Sequence, residues 1–162
     1  MSVEIVYEDA RWQRLGLQSL AEAALLETTG ALNVADGTVE VLACADNRIA
    51  VLNAEFREKP APTNVLSWPE EDLSSAVDGD APRKPTNGPE GATELGSIAI
   101  SYDTCAREAA EQCKPLADHV THLLVHGILH LLGFDHVRDK DATRMEQLEV
   151  EILGRMGIPD PY

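Results

Sequence analysis

The stretch His126-Gly127-Ile128-Leu129-His130-Leu131-Leu132-Gly133-Phe134-Asp135-His136 constrains the fold of this 162-residue chain more than any other, and it holds three of the five histidines. On an α-helix, residues four apart face the same way with Cβ atoms about 5–6 Å apart, so His126 and His130 can aim two imidazoles at one point. His136 follows six residues later. A helix that ran on would carry it roughly 9 Å further and about 120° round, out of reach. The helix must therefore end first, and Gly133 is the natural stop, because glycine accepts the left-handed backbone that turns a chain back after its last helical turn. Three neutral imidazoles gathered this way form the donor set of a zinc site that keeps a fourth position open. A lone helical histidine is more often a core or surface residue. Three at this spacing round a glycine turn point to a metal centre, with one zinc ion on His126, His130 and His136.

The rest of the chain limits what can surround such a centre. Its length and 44% hydrophobic content suit a single soluble domain, 1–162, with a sizeable core. The first nine residues lack a basic region followed by a long apolar run, so no secretion signal is read there. The most apolar stretch, 116–132, is interrupted by Asp118 and four histidines, too polar for a membrane span. A cytoplasmic location without membrane association is the expectation. Cys44, Cys105 and Cys113 are odd in number and form no Cys-x-x-Cys pair, so they are expected to be buried thiols rather than a disulfide framework. Thirteen basic residues against 28 acidic ones give a net charge of −15, which opposes general affinity for a polyanion. Any RNA contact must be local.

Residues 3–7 read as a strand, followed after Asp9 by a helix whose Leu17, Leu20, Ala21, Ala24 and Leu25 should pack on a sheet. Valine-rich 38–45 is a second strand, with Asp46 placed to cap the helix 47–57. Ile49, Leu52, Asn53 and Phe56 share that helix's period, and Arg57 ends it, where a cation suits the helix dipole. Residues alone favour this dipole role for Arg57. Strands follow at 64–68 and 95–101, then a helix capped by Asp103 with Ala106, Ala109, Ala110 and Cys113 on one face, and, after Pro115, the histidine helix. That helix is apolar almost all round, as a buried central helix should be. A final helix opens at Asp139 or Asp141, turns Met145, Leu148, Ile152 and Met156 inward, and stops over 154–159. The fold class is α+β, with a mixed sheet of about four strands packed against helices.

Two features fall outside this pattern. Residues 69–93 hold four prolines, three glycines and no hydrophobic period, and are expected to be a flexible insertion loop in which Arg83 and Lys84 are a solvated pair. His119 and His122 fall on the stripe of His126 and His130, but His122 lies a full turn above His126. A hydrogen-bonded or buried supporting role is expected of both. Asp135 either orients a ligand or is an exposed turn carboxylate.

Metzincin proteases carry His-Glu-x-x-His-x-x-Gly-x-x-His, and this chain matches every histidine and the glycine but has Gly127 where the glutamate stands. That glutamate is the general base of peptide hydrolysis, a contribution typically worth about 10²–10⁴-fold. A metzincin-like peptidase is therefore disfavoured. The same segment resembles the signature of the YbeY family of bacterial endoribonucleases, also called rRNA maturation factors. Leu52-Asn53-Ala54-Glu55-Phe56-Arg57, Pro62-Thr63-Asn64-Val65-Leu66-Ser67-Trp68 and Leu95-Gly96-Ser97-Ile98-Ala99-Ile100-Ser101 resemble that family's other blocks, in the same order. The likeness covers the chain except 69–93, which is longer than the family's loop.

The resemblance implies a single-domain α+β zinc protein that cuts single-stranded RNA, in 16S rRNA 3′-end processing and in ribosome quality control. Its partners would be ribosomal RNA and the small ribosomal subunit with its proteins. It also singles out Arg57 as a catalytic residue, to clamp the scissile phosphate beside the zinc. The attacking group stays open between zinc-activated water and the substrate's own 2′-hydroxyl. A non-catalytic assembly factor with structural zinc is the alternative, because −15 is an awkward charge for a nuclease.

Overall fold

The computed structural model describes residues 2–35, 37–86 and 93–162. Four strands, β1 (Ser2–Tyr7), β2 (Gly37–Cys44), β3 (Val65–Pro69) and β4 (Thr93–Ser101), form one sheet in the order β1-β2-β4-β3. β1, β2 and β4 run parallel, and β3 pairs antiparallel with β4 at the edge, Val65 opposite Ile100. The expected α+β class and four-stranded mixed sheet are both present.

Alternation along the strands gives the sheet two apolar faces. Val39, Val41, Ala43, Ile98 and Ile100 join the larger core, whereas Cys44, Leu66 and Ala99 join a smaller cluster with Ile49. Helices therefore cover both faces. On the larger core lie α2 (Leu17–Ala31) and α5 (Leu116–Leu131), while α3 (Asp46–Arg57) covers the opposite face through Ile49 and Leu52. α5 is the centre of the molecule: Val120, Leu124, Val125, Ile128, Leu129 and Leu131 are all buried. The α2 stripe packs chiefly on α5 and only secondarily on β1, so it reaches the sheet less directly than its sequence suggests. A short α1 (Arg11–Leu15) precedes α2, separated from it by Gly16 in the left-handed conformation; α4 (Tyr102–Glu111) and α6 (Asp139–Arg155) complete the fold. Among the described residues no helix is long and apolar enough to cross a membrane.

Three local expectations are corrected. Asp46 does not cap its own helix: its carboxylate accepts from the hydroxyls of Ser101 and Thr104 at the start of α4, at 2.7 and 2.6 Å. Asp103 in turn accepts from the backbone N–H of Asp46 at 3.0 Å. The two helix starts lie side by side, so each aspartate satisfies its neighbour's end. Cys44 and Cys105 are buried, as expected of small apolar side chains, but Cys113 is exposed because it sits in a left-handed turn just past α4. Phe56, although on the period of buried Ile49, is 50% exposed at the last turn of α3, where its ring meets Trp68 of the edge strand β3.

Residues 70–86 contain no helix or strand, yet they dock on α6. Arg138 donates to the carbonyls of Ser75 and Ala76 at 2.7 and 2.9 Å, and Asp78 accepts from the backbone N–H of Asp141 at 2.9 Å. Leu73 is buried. Arg83 donates to the Asp72 carbonyl at 2.6 Å and Lys84 to that of Asn33 at 3.4 Å, so this pair is spent on backbone oxygens. The remainder of the expected insertion, 87–92, lies outside the described residues.

Candidate metal centre

The end of α5 follows from Gly133. Its φ of 96° is left-handed, its N–H donates to the His130 carbonyl at 3.0 Å, and the N–H of Phe134 donates to that of Leu129 at 3.0 Å. This paired 6→1 and 5→2 bonding reverses the chain. A Cβ at Gly133 would also lie 2.8 Å from Leu73 and Pro82, so the docked loop excludes any larger residue there. The reversal swings His136 back, and one ring nitrogen from each of His126, His130 and His136 lies within 4.8 Å of the others.

Hydrogen bonds at the far side of two rings decide which nitrogens face inward. Nδ1 of His126 meets Oε1 of Glu149 at 2.5 Å, and Nδ1 of His130 meets the Phe134 carbonyl at 3.0 Å. Both partners are acceptors, so each Nδ1 carries the proton and each Nε2 presents a lone pair. These two Nε2 atoms stand 3.0 Å apart. Two lone pairs that close repel unless a cation lies between them, and tetrahedral zinc at its usual bond length to imidazole sets its nitrogens about 3.3 Å apart. The donor set thus fits a divalent, imidazole-preferring ion. Burial, helped by the nearby His126 and His136, lowers the pKa of His130 to about 4, so this ring is neutral and ready to ligate near pH 7.

Glu149 was not found by sequence reasoning. It is fully buried on α6, where its carboxylate accepts from His126, lies 3.8 Å from Nε2 of His122 and takes the hydroxyl proton of Tyr162 as a further hydrogen bond. Burial alone would raise its pKa; the neighbouring His122 ring and the hydrogen bonds from His126 and Tyr162 outweigh that and hold it at about 2. A signal existed. Glu149 falls four residues after Met145 and three before Ile152, a carboxylate on the inward stripe of an amphipathic helix.

The other candidates separate. His119 is buried, with Nε2 3.0 Å from Oε1 of Glu108, and His122 packs edge-on against Tyr162 at 5.8 Å between ring centres. Neither joins the three converging rings. Asp135 is exposed and accepts from the backbone N–H of His136 at 2.7 Å, a turn contact. Arg57, from the opposite face of the sheet, lines the same cleft as His126, His130 and His136, a space of about 380 Å³ opening along the β3 edge. Among the described residues its guanidinium has no carboxylate or hydrogen-bond partner. Gly127 faces the sheet: a Cβ there would meet Ile98 at 3.0 Å and Ser67 Oγ at 3.2 Å, leaving little room for a metzincin glutamate.

Comparison with known proteins agrees with this architecture. The family profile described as Endoribonuclease YbeY matches residues 3–157. A protein named Endoribonuclease YbeY from a Ruegeria species is 57% identical, with the match covering 100% of this chain and 96% of that one. Its namesake in Dinoroseobacter shibae is also 57% identical, over 99% of this chain and 90% of that one. The solution structure of TM1509 from Thermotoga maritima shares the fold at 21% identity, with a TM-score of 0.58, covering 96% of this chain and 91% of that one.

Proposed function

The chain belongs to the Endoribonuclease YbeY family, and we propose that it cleaves single-stranded RNA in ribosomal RNA maturation, with zinc on His126, His130 and His136 and with Arg57 as phosphate clamp. The observation that carries this reading is the cleft itself, which Arg57, unpaired among the described residues, lines together with three converging imidazoles.

When bound, a zinc ion supplies Lewis acidity toward water and phosphoryl oxygen. The protein does the rest. Glu149 and the Phe134 carbonyl hold the rings of His126 and His130 in the tautomer that presents Nε2. Arg57 pairs two non-bridging phosphate oxygens and stabilises the charge that grows in the transition state. Because none of its donors is spent on a carboxylate among the described residues, no ion pair need break first. Ser67 on β3 and Asn64 just before that strand also line the cleft. In this reading the substrate is part of a pre-ribosomal particle in the cytoplasm, and binding to the small subunit supplies the specificity that an acidic protein does not obtain from charge.

Glu71, Asp72 and Asp135 also line the cleft, and this acidity favours one second reading, a ribosome assembly factor whose zinc is structural. Zinc-loaded protein incubated with single-stranded RNA separates the two, with a chelator and Arg57→Ala as controls. Chelator-sensitive cleavage that the variant lacks supports the nuclease. Unfolding on chelation without any cleavage supports the structural metal. Product ends then identify the attacking group, since attack by the 2′-hydroxyl leaves a cyclic phosphate.

A further inference from the structure

Phe56 lines the cleft beside Arg57, and half of its surface faces solvent. The chain has only two phenylalanines, and burying such a ring is normally worth about 1.5–3 kcal/mol, so an exposed one at the mouth of a functional cleft calls for a reason. The ring is also braced. Trp68 of β3 packs against it with ring centres 5.1 Å apart and planes tilted by 59°, and Trp68 itself rests on the smaller core cluster. Phe56 is thus a half-exposed aromatic surface on the last turn of α3, backed by Trp68 and one residue before a guanidinium that is unpaired among the described residues.

A ring beside a phosphate-binding group repeats the layout of a nucleotide, whose base and phosphate are neighbours along the strand. We propose that Phe56 is a base-stacking platform for the nucleotide next to the phosphate held by Arg57, a site for an unpaired nucleobase of any identity. This rests on the RNA reading above and deepens it. Stacking needs no positive charge, so it supplies affinity that a protein of net charge −15 does not gain from phosphates. It also excludes duplexes, because a base lying on Phe56 has left its helical stack. Single-strand preference would then come from the cleft itself.

The test is a double-mutant cycle between protein and RNA. Zinc-loaded wild type and Phe56→Ala cleave a set of single-stranded oligoribonucleotides in which one nucleotide at a time beside the cleavage point is made abasic. Phe56→Ala should lower kcat/KM for the intact RNA about tenfold, chiefly through KM. One abasic position should cost the wild type a similar factor and cost the variant nothing further. Phe56→Trp should restore binding, and Phe56→Leu, which keeps packing against Trp68 without an aromatic face, should behave like Phe56→Ala. Binding of 2′-O-methyl versions, followed by anisotropy, should show the same pattern apart from turnover. If Phe56→Leu cleaves and binds as the wild type does, or if every abasic position costs both proteins equally, the platform is overturned while the nuclease stands. A wild type that neither binds nor cleaves RNA overturns both.

Discussion

His119 and His122 stand on the first half of α5, His126 and His130 on the second, and all four share one stripe of the same helix. What faces each pair separates them. His119 meets Glu108 of α4, and its buried Nδ1 has no hydrogen-bond partner among the described residues. His126 and His130 spend Nδ1 on Glu149 and on the Phe134 carbonyl, which leaves two lone pairs to converge with His136 at an open cleft. The upper pair is enclosed by helices and the tail around Tyr162; the lower pair is where the helix stops and the sheet edge begins. A histidine becomes a ligand candidate when acceptors occupy its outer nitrogen and other donors meet its inner one.

This contrast can be broken most directly by substitution on either half. His130→Ala should abolish stoichiometric zinc binding, measured by metal analysis after gel filtration, whereas His119→Ala should keep it. Zinc retained in His130→Ala would end the three-histidine assignment. Arg57→Ala should lose about 10²–10³-fold in RNA cleavage while zinc content and melting temperature stay as in the wild type. Next in size, Glu149→Gln should weaken zinc affinity about 10–100-fold in chelator competition, because a neutral amide orients His126 less firmly. Affinity unchanged in that variant would make Glu149 a core residue only. On the upper half, His119→Ala should cost about 1–3 kcal/mol of stability in urea melts by leaving Glu108 without its ring partner.

Acid should act on the metal-free protein in two stages. Folding favours the neutral ring of His130, whose pKa is about 4 against an ordinary 6.5, so its contribution is complete above 6.5 and is lost as pH falls toward 4. Glu149 sits at about 2 against 4.5, so its contribution survives to 4.5 and is lost below. Melting temperature followed from pH 7 downward should begin to fall before any carboxylate titrates, and His130→Gln should remove that first decline.

Much of this was legible beforehand because it depends on neighbours in sequence. The i, i+4 histidines and the glycine stop are local geometry, and the 6→1 and 5→2 bonds after Leu129 and His130 follow the expected turn. Strand positions were readable from alternation, since each face of the sheet has its own core. The misreadings share one cause. Local spacing places Asp46 and Asp103 at their own helices, but two helix ends brought side by side exchange them. Phe56 obeys the helical period, yet periodicity does not say how much of the last turn the neighbouring elements cover.

The sequence by itself determined the donor set, the turn that gathers it and the secondary structure on either side, because each depends on bond geometry within a few residues. Only the tertiary structure decided that Glu149, from another helix, orients His126, and that Arg57 and Phe56, some 70 residues earlier and on the other face of the sheet, reach the same cleft round the edge of β3. Those relations depend on which surfaces pack together, and the spacing of residues along a chain does not encode the distance between faces of a sheet.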